Sequence, residues 1–288
     1  MSAATASAPA SGSETVIQAV GVENQYADII SQIGGQYVHV AAVESNPNTD
    51  PHAFEASASV ASELAAAGLV VVNGLGYDHW AQKMLAASPN ANRKLIDVQT
   101  LLNLPDSTPN PHLWYDPKTM PAVAKQIADD LSALEPDRAA YFQANLTKFD
   151  DSLQPWLAAL QAFKAKYGGT AVAVSEPVGD YLLQAAGCKI ATPFSFESAV
   201  MNGNDPSPQD VTLQQNLFKN HQVKVFLYNQ QVTDSLTQSL LDLANQQGIP
   251  VIGVYETIPT GYTYQSWMLA ETKALEQAVA NKVSTSKL

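Results

Sequence analysis

Four short segments of the chain each carry an imidazole or carboxylate side chain just after an apolar run. His52 lies in Asp-Pro-His, His112 in Asn-Pro-His-Leu-Trp, Glu176 in Ser-Glu-Pro and Glu256 in Tyr-Glu-Thr. Local metal motifs such as His-Glu-x-x-His keep their ligands on one helix, whereas these four residues are separated by 60, 64 and 80 positions. Only a folded cleft could collect them. The sequence therefore predicts one metal site between two lobes.

Composition limits the class of protein. The chain has 288 residues, of which 46% are hydrophobic, so it can bury a core and form one or two domains. Asp and Glu number 27 against 15 Lys and Arg, and no basic block could follow a phosphate backbone. We therefore expect no nucleic-acid partner. No apolar run approaches the length needed to cross a bilayer, so the chain is not expected to span a membrane.

The N-terminal segment and the cysteine content bear on the compartment. Residues 1–14 are small and polar and lack the basic and apolar regions of a signal peptide. We interpret them as a disordered arm that remains after a targeting segment is removed. Cys188 is the only cysteine, which excludes an intrachain disulfide and a cysteine zinc cage. Its apolar context predicts a buried structural thiol.

Strand and helix patterns alternate in both halves of the chain, which predicts an α/β fold. In the first half, strands are predicted at residues 16–20, 38–43, 69–72 and 95–98, and helices at residues 26–33, 60–67 and 79–87. In the second half, strands are predicted at residues 171–174, 189–191, 223–228 and 251–255, and helices at residues 178–186, 208–220, 233–247 and 265–283. Each half should therefore form a mostly parallel sheet flanked by helices. The four candidate ligands follow predicted strands or lie in the loops beyond them, where open parallel sheets bind ligands.

A long helical pattern lies between the two halves. It runs over residues 137–167, after a helix at 121–134, and stops at Gly168-Gly169. At 1.5 Å per residue, a helix of about 30 residues is about 45 Å long. We expect a disordered arm at 1–14, an N-terminal α/β lobe at 15–136, a linking helix at 137–167 and a C-terminal α/β lobe at 168–288.

Three motifs together resemble those of a known family. They are DPHAFE at residues 50–55, LVVVNGLGY at 69–77 and NPHLW at 110–114. The combination is similar to that of the metal-binding receptors of ABC importers for zinc and manganese, the cluster A-I solute-binding proteins, over about residues 16–283. The resemblance implies two α/β lobes joined by one long rigid helix, with a divalent cation in the interlobe cleft. It also implies a periplasmic or otherwise extracytoplasmic receptor that delivers the metal to a membrane permease. We expect it to be a monomer.

The resemblance assigns the metal ligands residue by residue. His52 and His112 match the two histidines of the family's N-terminal lobe. Glu176 falls where the family has His or Glu, and Glu256 falls where it usually has Asp. Two imidazoles and two carboxylates suit Zn²⁺, Mn²⁺ or Fe²⁺ as cargo and do not suit Cu⁺. The second glutamate and the absence of a His-rich loop favour manganese slightly, although zinc binds more tightly in the Irving–Williams order.

Other interpretations remain open from the sequence. A metal-dependent hydrolase with a His/His/Glu site is one alternative, but four protein ligands leave no open position for catalysis, so we expect no enzyme. A surface adhesin of the same fold is the other. The remaining histidines, His39, His79 and His221, have no motif around them and are predicted not to bind metal. Asp116 could orient His112 or begin an Asp-Pro turn.

Overall fold

The computed structural model describes residues 16–51 and 54–288. His52 and the predicted arm at 1–14 lie outside these residues. The described residues form two four-stranded sheets, one in each half of the chain. The N-terminal sheet consists of β1 (Ile17–Glu23), β2 (Val38–Glu44), β3 (Leu69–Val72) and β4 (Lys94–Asp97), in the order β2-β1-β3-β4. The C-terminal sheet consists of β5 (Ala171–Val174), β6 (Lys189–Ile190), β7 (Val225–Asn229) and β8 (Val251–Val254), in the order β6-β5-β7-β8.

All the strand pairs in both sheets are parallel, which confirms the predicted α/β class. The burial of the central strands explains why the sequence pattern predicted them. Every residue of β3 and of β7 is buried, because helices cover both faces of each sheet. Such strands appear in the sequence as continuous apolar runs. The carboxyl ends of four neighbouring strands then meet at one edge of each sheet.

Helices connect and cover the strands. They are α1 (Asn24–Gly34), α2 (Ala58–Ala66), α3 (His79–Ala87), α4 (Val98–Leu101), α5 (Thr119–Leu134), α6 (Ala139–Tyr167), α7 (Asp180–Ala185), α8 (Phe194–Met201), α9 (Pro208–Lys219), α10 (Ser235–Gln246) and α11 (Tyr264–Asn281). Two of them, α4 and α8, were not predicted. The short α4 begins at Val98, which we predicted to end a strand, and the Asp97 side chain caps it by accepting from the backbone N–H of Thr100 at 2.8 Å. The sequence of α8 is rich in Ser and Phe, and its buried residues Phe196 and Val200 hold it on the core.

The predicted long helix is present as the 29-residue α6, which follows a short 3₁₀ turn at Pro136–Arg138. It continues through Pro155. Its buried side recurs at helical spacing through Phe142, Asn145, Phe149, Leu153, Trp156, Leu160 and Phe163. The six apolar side chains among them belong to one hydrophobic core that also contains Val71 of β3 and Ile252 of β8. Both sheets therefore share a core along α6.

None of the described helices combines the length and the apolarity that a bilayer-spanning helix needs. Cys188 is half-buried rather than fully buried, because it sits in the short turn that follows α7. Burial still raises the pKa of its thiol to about 12, which keeps the thiol protonated and unreactive.

Candidate metal centre

Three of the four candidate ligands come together in the structure. His112 lies in the loop after α4, Glu176 follows β5, and Glu256 follows β8. The His112 and Glu256 side chains are fully buried and Glu176 is 2% exposed. The Nε2 atom of His112 is 3.2 Å from Oε2 of Glu256. His52 lies outside the described residues, so the structure gives no position for the fourth candidate.

Asn229, the last residue of β7, stands between the two carboxylates. Its Nδ2 atom donates to Oε1 of Glu176 at 3.1 Å and to Oε1 of Glu256 at 2.8 Å. Within residues 16–51 and 54–288, no three His, Cys, Asp or Glu side chains lie close enough together to hold one metal ion as they stand. Glu176 is thus joined to the pair of His112 and Glu256 through the amide of Asn229.

Asn110 fixes the orientation of the His112 ring. The Nδ2 atom of Asn110 donates to the carbonyl oxygen of Pro177 at 2.7 Å, so its Oδ1 atom must be the acceptor for His112. His112 Nδ1 lies 2.7 Å from that oxygen and therefore carries the proton. In the neutral imidazole the lone pair of Nε2 therefore faces Glu256, as it would in a metal-binding imidazole. Asp116 does not take this role; its Oδ1 atom accepts from the backbone N–H of Lys118, which supports the turn interpretation.

Tyr77 contributes a contact that sequence analysis did not assign. Its hydroxyl donates to Oε2 of Glu256 at 2.8 Å. Burial, and then the charge of Glu256, hold the pKa of Tyr77 well above its ordinary value, so the hydroxyl keeps its proton. The loop before Tyr77 requires glycine at position 74. Gly74 has a φ of 82°, and a Cβ there would lie 2.7 Å from the Cβ of Gln99. Asp78 fixes the loop by accepting from the backbone N–H groups of Asn73 and Gly74.

Aromatic rings enclose the imidazole. The Trp114 ring packs edge-on against His112 at 5.4 Å and against Tyr77 at 5.2 Å between centroids. Trp114 is fully buried, so it is both a core residue and a wall of the site. Such a wall lowers the local dielectric and strengthens electrostatic contacts inside it. The other described histidines, His39, His79 and His221, are exposed and lie apart from this cluster.

A second acidic cluster lies at the carboxyl edge of the N-terminal sheet, and it was also missed from the sequence. Glu23 and Glu44 are paired in register at the ends of β1 and β2. Burial, followed by the charges of Asp78 and Glu44, raises the pKa of Glu23 well above its ordinary value. Burial also raises the pKa of Asp78 to about 6. This cluster therefore retains a proton more readily than isolated carboxylates do.

Comparison with known proteins identifies the family. The profile of ZnuA, the periplasmic component A of the zinc-uptake complex, matches residues 22–278. The chain belongs to the ZnuA family. This family of metal-binding, periplasmic substrate-binding proteins is the one that the motifs at residues 50–55, 69–77 and 110–114 indicate, so the resemblance is confirmed.

Individual relatives in the ZnuA family are named for different metals. The manganese-binding lipoprotein MntA of Halalkalibacterium halodurans is 28% identical over 134 residues, which are 44% of this chain and 43% of MntA. The zinc-binding protein TroA of Treponema pallidum is 27% identical over 154 residues, which are 51% of this chain and 48% of TroA. The chain thus spans about half the length of these relatives.

A solved structure extends the likeness over nearly the whole ZnuA-family chain. The SBP FpvC from Pseudomonas aeruginosa, in complex with Mn²⁺, matches with a TM-score of 0.75 at 20% sequence identity. The match covers 93% of this chain and 99% of FpvC. At this identity the likeness shows a shared fold.

Proposed function

We propose that this chain is an extracytoplasmic receptor that binds one divalent transition-metal ion and delivers it to the permease of an ABC transporter. The ligands in this proposal are His52, His112, Glu176 and Glu256. The N-terminal lobe at residues 15–136 and the C-terminal lobe at 168–288 supply two ligands each, and residues 137–167 join them. We assign no catalytic turnover to the site.

The contact between His112 and Glu256 carries this proposal. With the proton of His112 on Nδ1, the lone pair of Nε2 faces a carboxylate oxygen 3.2 Å away, and both side chains are fully buried. Two acceptors at this distance repel each other unless a proton or a metal cation lies between them. At metal–ligand bond lengths of about 2.0–2.2 Å, two ligands of a tetrahedral ion lie about 3.4 Å apart. A divalent ion therefore fits this pair with little movement.

The chemistry of the donors supports transition metals as cargo. Imidazole nitrogen and carboxylate oxygen suit Zn²⁺, Mn²⁺ and Fe²⁺. MntA is named as a manganese-binding protein, and TroA is named as a zinc-binding protein. We therefore propose Mn²⁺ or Zn²⁺ as the transported ion, with Fe²⁺ as a further candidate.

Metal binding is tested by native mass spectrometry of protein purified without added metal, with elemental analysis of the bound ion. We expect one ion per chain. The His112→Ala and Glu256→Ala variants should remain folded and lose most of the affinity, whereas His221→Ala, at an exposed histidine, should bind like the wild type. Equal binding by all four proteins would contradict the proposal.

Delivery is tested in cells that lack this protein and grow in metal-depleted medium. The wild-type gene should restore growth and cellular metal content, and the His112→Ala gene should not. Restoration by the His112→Ala gene would show that transport does not depend on this site.

A further inference from the structure

We propose that Asn229 is a positioning residue that fixes the coordination number of the metal site. Its amide engages one oxygen of Glu176 and one of Glu256, and so leaves each carboxylate a single oxygen for the ion. The inference rests on the proposed function and deepens it, because coordination number decides which cation the site prefers.

The sheet topology puts Asn229 between the two acids. Strand β7 lies between β5 and β8 in the C-terminal sheet. Glu176 lies just beyond the end of β5, Glu256 lies just beyond the end of β8, and Asn229 is paired in register with Val254, the last residue of β8. The amide is therefore held by the backbone of the central strand and not by a flexible loop.

Hydrogen bonding fixes the orientation of the amide. The Oδ1 atom of Asn229 accepts from the backbone N–H of Gln231 at 3.0 Å. A backbone N–H can only donate, so the oxygen must face it and the NH₂ group must face the carboxylates. Both amide hydrogens are then used, one for each glutamate, at 3.1 and 2.8 Å. The backbone N–H of Asn229 also donates to Oγ of Ser175 at 3.0 Å, which ties it to the residue before Glu176.

We refer to the two hydrogen bonds from Asn229 to Glu176 and Glu256 as the clamp. Burial strengthens both of them. Asn229 is fully buried, so water does not compete for its hydrogen bonds. Hydrogen bonds to ionised carboxylates are about twice as strong as those between neutral groups. The two N–H groups also offset the repulsion between two carboxylates that approach each other inside the protein.

The clamp limits how the carboxylates can bind an ion. Bidentate binding would turn both oxygens of a carboxylate toward the metal, and so would pull each Oε1 away from the amide and weaken its hydrogen bond. In Glu256 the other oxygen, Oε2, accepts from Tyr77 and faces Nε2 of His112. One oxygen from each glutamate and two imidazole nitrogens give four ligands, which is the usual number for Zn²⁺. The structure thus points toward zinc, against the slight preference for manganese drawn from the second glutamate.

Cobalt substitution measures coordination number without transport. Four-coordinate Co²⁺ absorbs visible light strongly, and six-coordinate Co²⁺ absorbs weakly. We expect the Co²⁺-loaded wild type to absorb strongly, and the Asn229→Ala and Asn229→Asp variants to absorb weakly as the carboxylates become free to bind through both oxygens. The ratio of Zn²⁺ to Mn²⁺ affinity, measured by chelator competition, should fall by about 10- to 100-fold, as when other groups that orient metal ligands are removed.

Two variants keep the test decisive. Asn229→Ala leaves the N–H of Gln231 without its acceptor and could unfold the protein, whereas Asn229→Asp retains the shape and an acceptor oxygen. Asn245→Ala, at an exposed position on α10, is the matched control and should leave spectrum and affinity ratio unchanged.

The outcomes separate this inference from the proposed function. A weak wild-type spectrum, or Asn229 variants that retain the strong spectrum and the affinity ratio, would overturn the role of Asn229 while metal binding stands. Absence of metal binding by the wild type, or normal binding by His112→Ala, would overturn the proposed function and this inference with it.

Discussion

The hydroxyl of Tyr115 donates to the backbone carbonyl oxygen of Tyr255 at 2.8 Å. Tyr115 lies three residues after His112, and Tyr255 directly precedes Glu256, so one hydrogen bond joins the segments that carry two proposed ligands. The same hydroxyl lies 2.9 Å from Oε1 of Glu271 on α11, which also accepts from Nε1 of Trp267 at 2.7 Å. All four side chains are buried. The distance between His112 and Glu256 therefore depends on a polar network behind the site.

Replacement of Tyr115 by Phe tests this link. Loss of the hydroxyl leaves the buried carbonyl oxygen of Tyr255 without its donor, which should lower the free energy of unfolding by about 1–3 kcal/mol. Metal should also dissociate faster, because Glu256 is less firmly placed. Chemical denaturation and stopped-flow chelation measure the two effects. Tyr262→Phe, at a half-buried tyrosine just before α11, is the control. Equal behaviour of the two variants would mean that the Tyr115 bond does not support the site.

Glu271 makes stability depend on pH. Burial raises its pKa from 4.5 to about 8, despite the opposing hydrogen bonds from Tyr115 and Trp267. Between these two values the folded protein holds a proton that the unfolded chain releases. This contribution to stability is therefore present at low pH and falls by about 1.4 kcal/mol per pH unit as the pH rises toward 8.

The Glu271→Gln variant should remove that dependence. Denaturation midpoints measured from pH 5 to pH 8 should decline less steeply for the variant than for the wild type. Glu276→Gln, at an exposed position on the same helix, should follow the wild-type curve. Parallel curves for wild type and Glu271→Gln would show that Glu271 does not gain a proton on folding.

Helix α6 should limit the motion that accompanies metal binding. Its buried face is packed into a core shared with both sheets, so wide hinge opening would expose apolar surface. We expect the radius of gyration from small-angle scattering to be the same with and without metal. Hydrogen exchange should change in the loops around Glu176, residues 202–208 and Glu256. A large change in the radius of gyration would contradict a rigid connection.

Trp156 should be a main contributor to stability at the centre of α6. It is fully buried, and its Nε1 atom donates to Oγ1 of Thr272 on α11 at 3.1 Å. Trp156→Ala should lower the free energy of unfolding by about 3–5 kcal/mol through the cavity it leaves. Gln154→Ala, on the exposed side of the same helix, should have little effect. A small loss for Trp156→Ala, measured by thermal or urea unfolding, would mean that the core collapses around the gap.

The strands, and the proximity of three candidate ligands, were predictable because their physical causes are local. Buried parallel strands appear as apolar runs. Glu176 and Glu256 follow two of those runs, and His112 lies in the loop after α4. The groups around these side chains were not predictable. Asn229 lies between the two glutamates only because β7 pairs with both β5 and β8. The spacing of apolar residues in the sequence does not predict the order of strands in a sheet. The same holds for Asn110 and Glu271, whose partners come from the other half of the chain.

The core that both sheets share along α6 bears on how the chain acquires its structure. Neither half contains the whole of the apolar surface that covers this helix, so a fragment ending near residue 136 would leave its own sheet partly uncovered. The chain should consequently fold and melt in one cooperative transition, in spite of its two sheets. During synthesis, the N-terminal half must wait for the C-terminal half to emerge before it becomes stable, and in that interval it presents its apolar surface to chaperones.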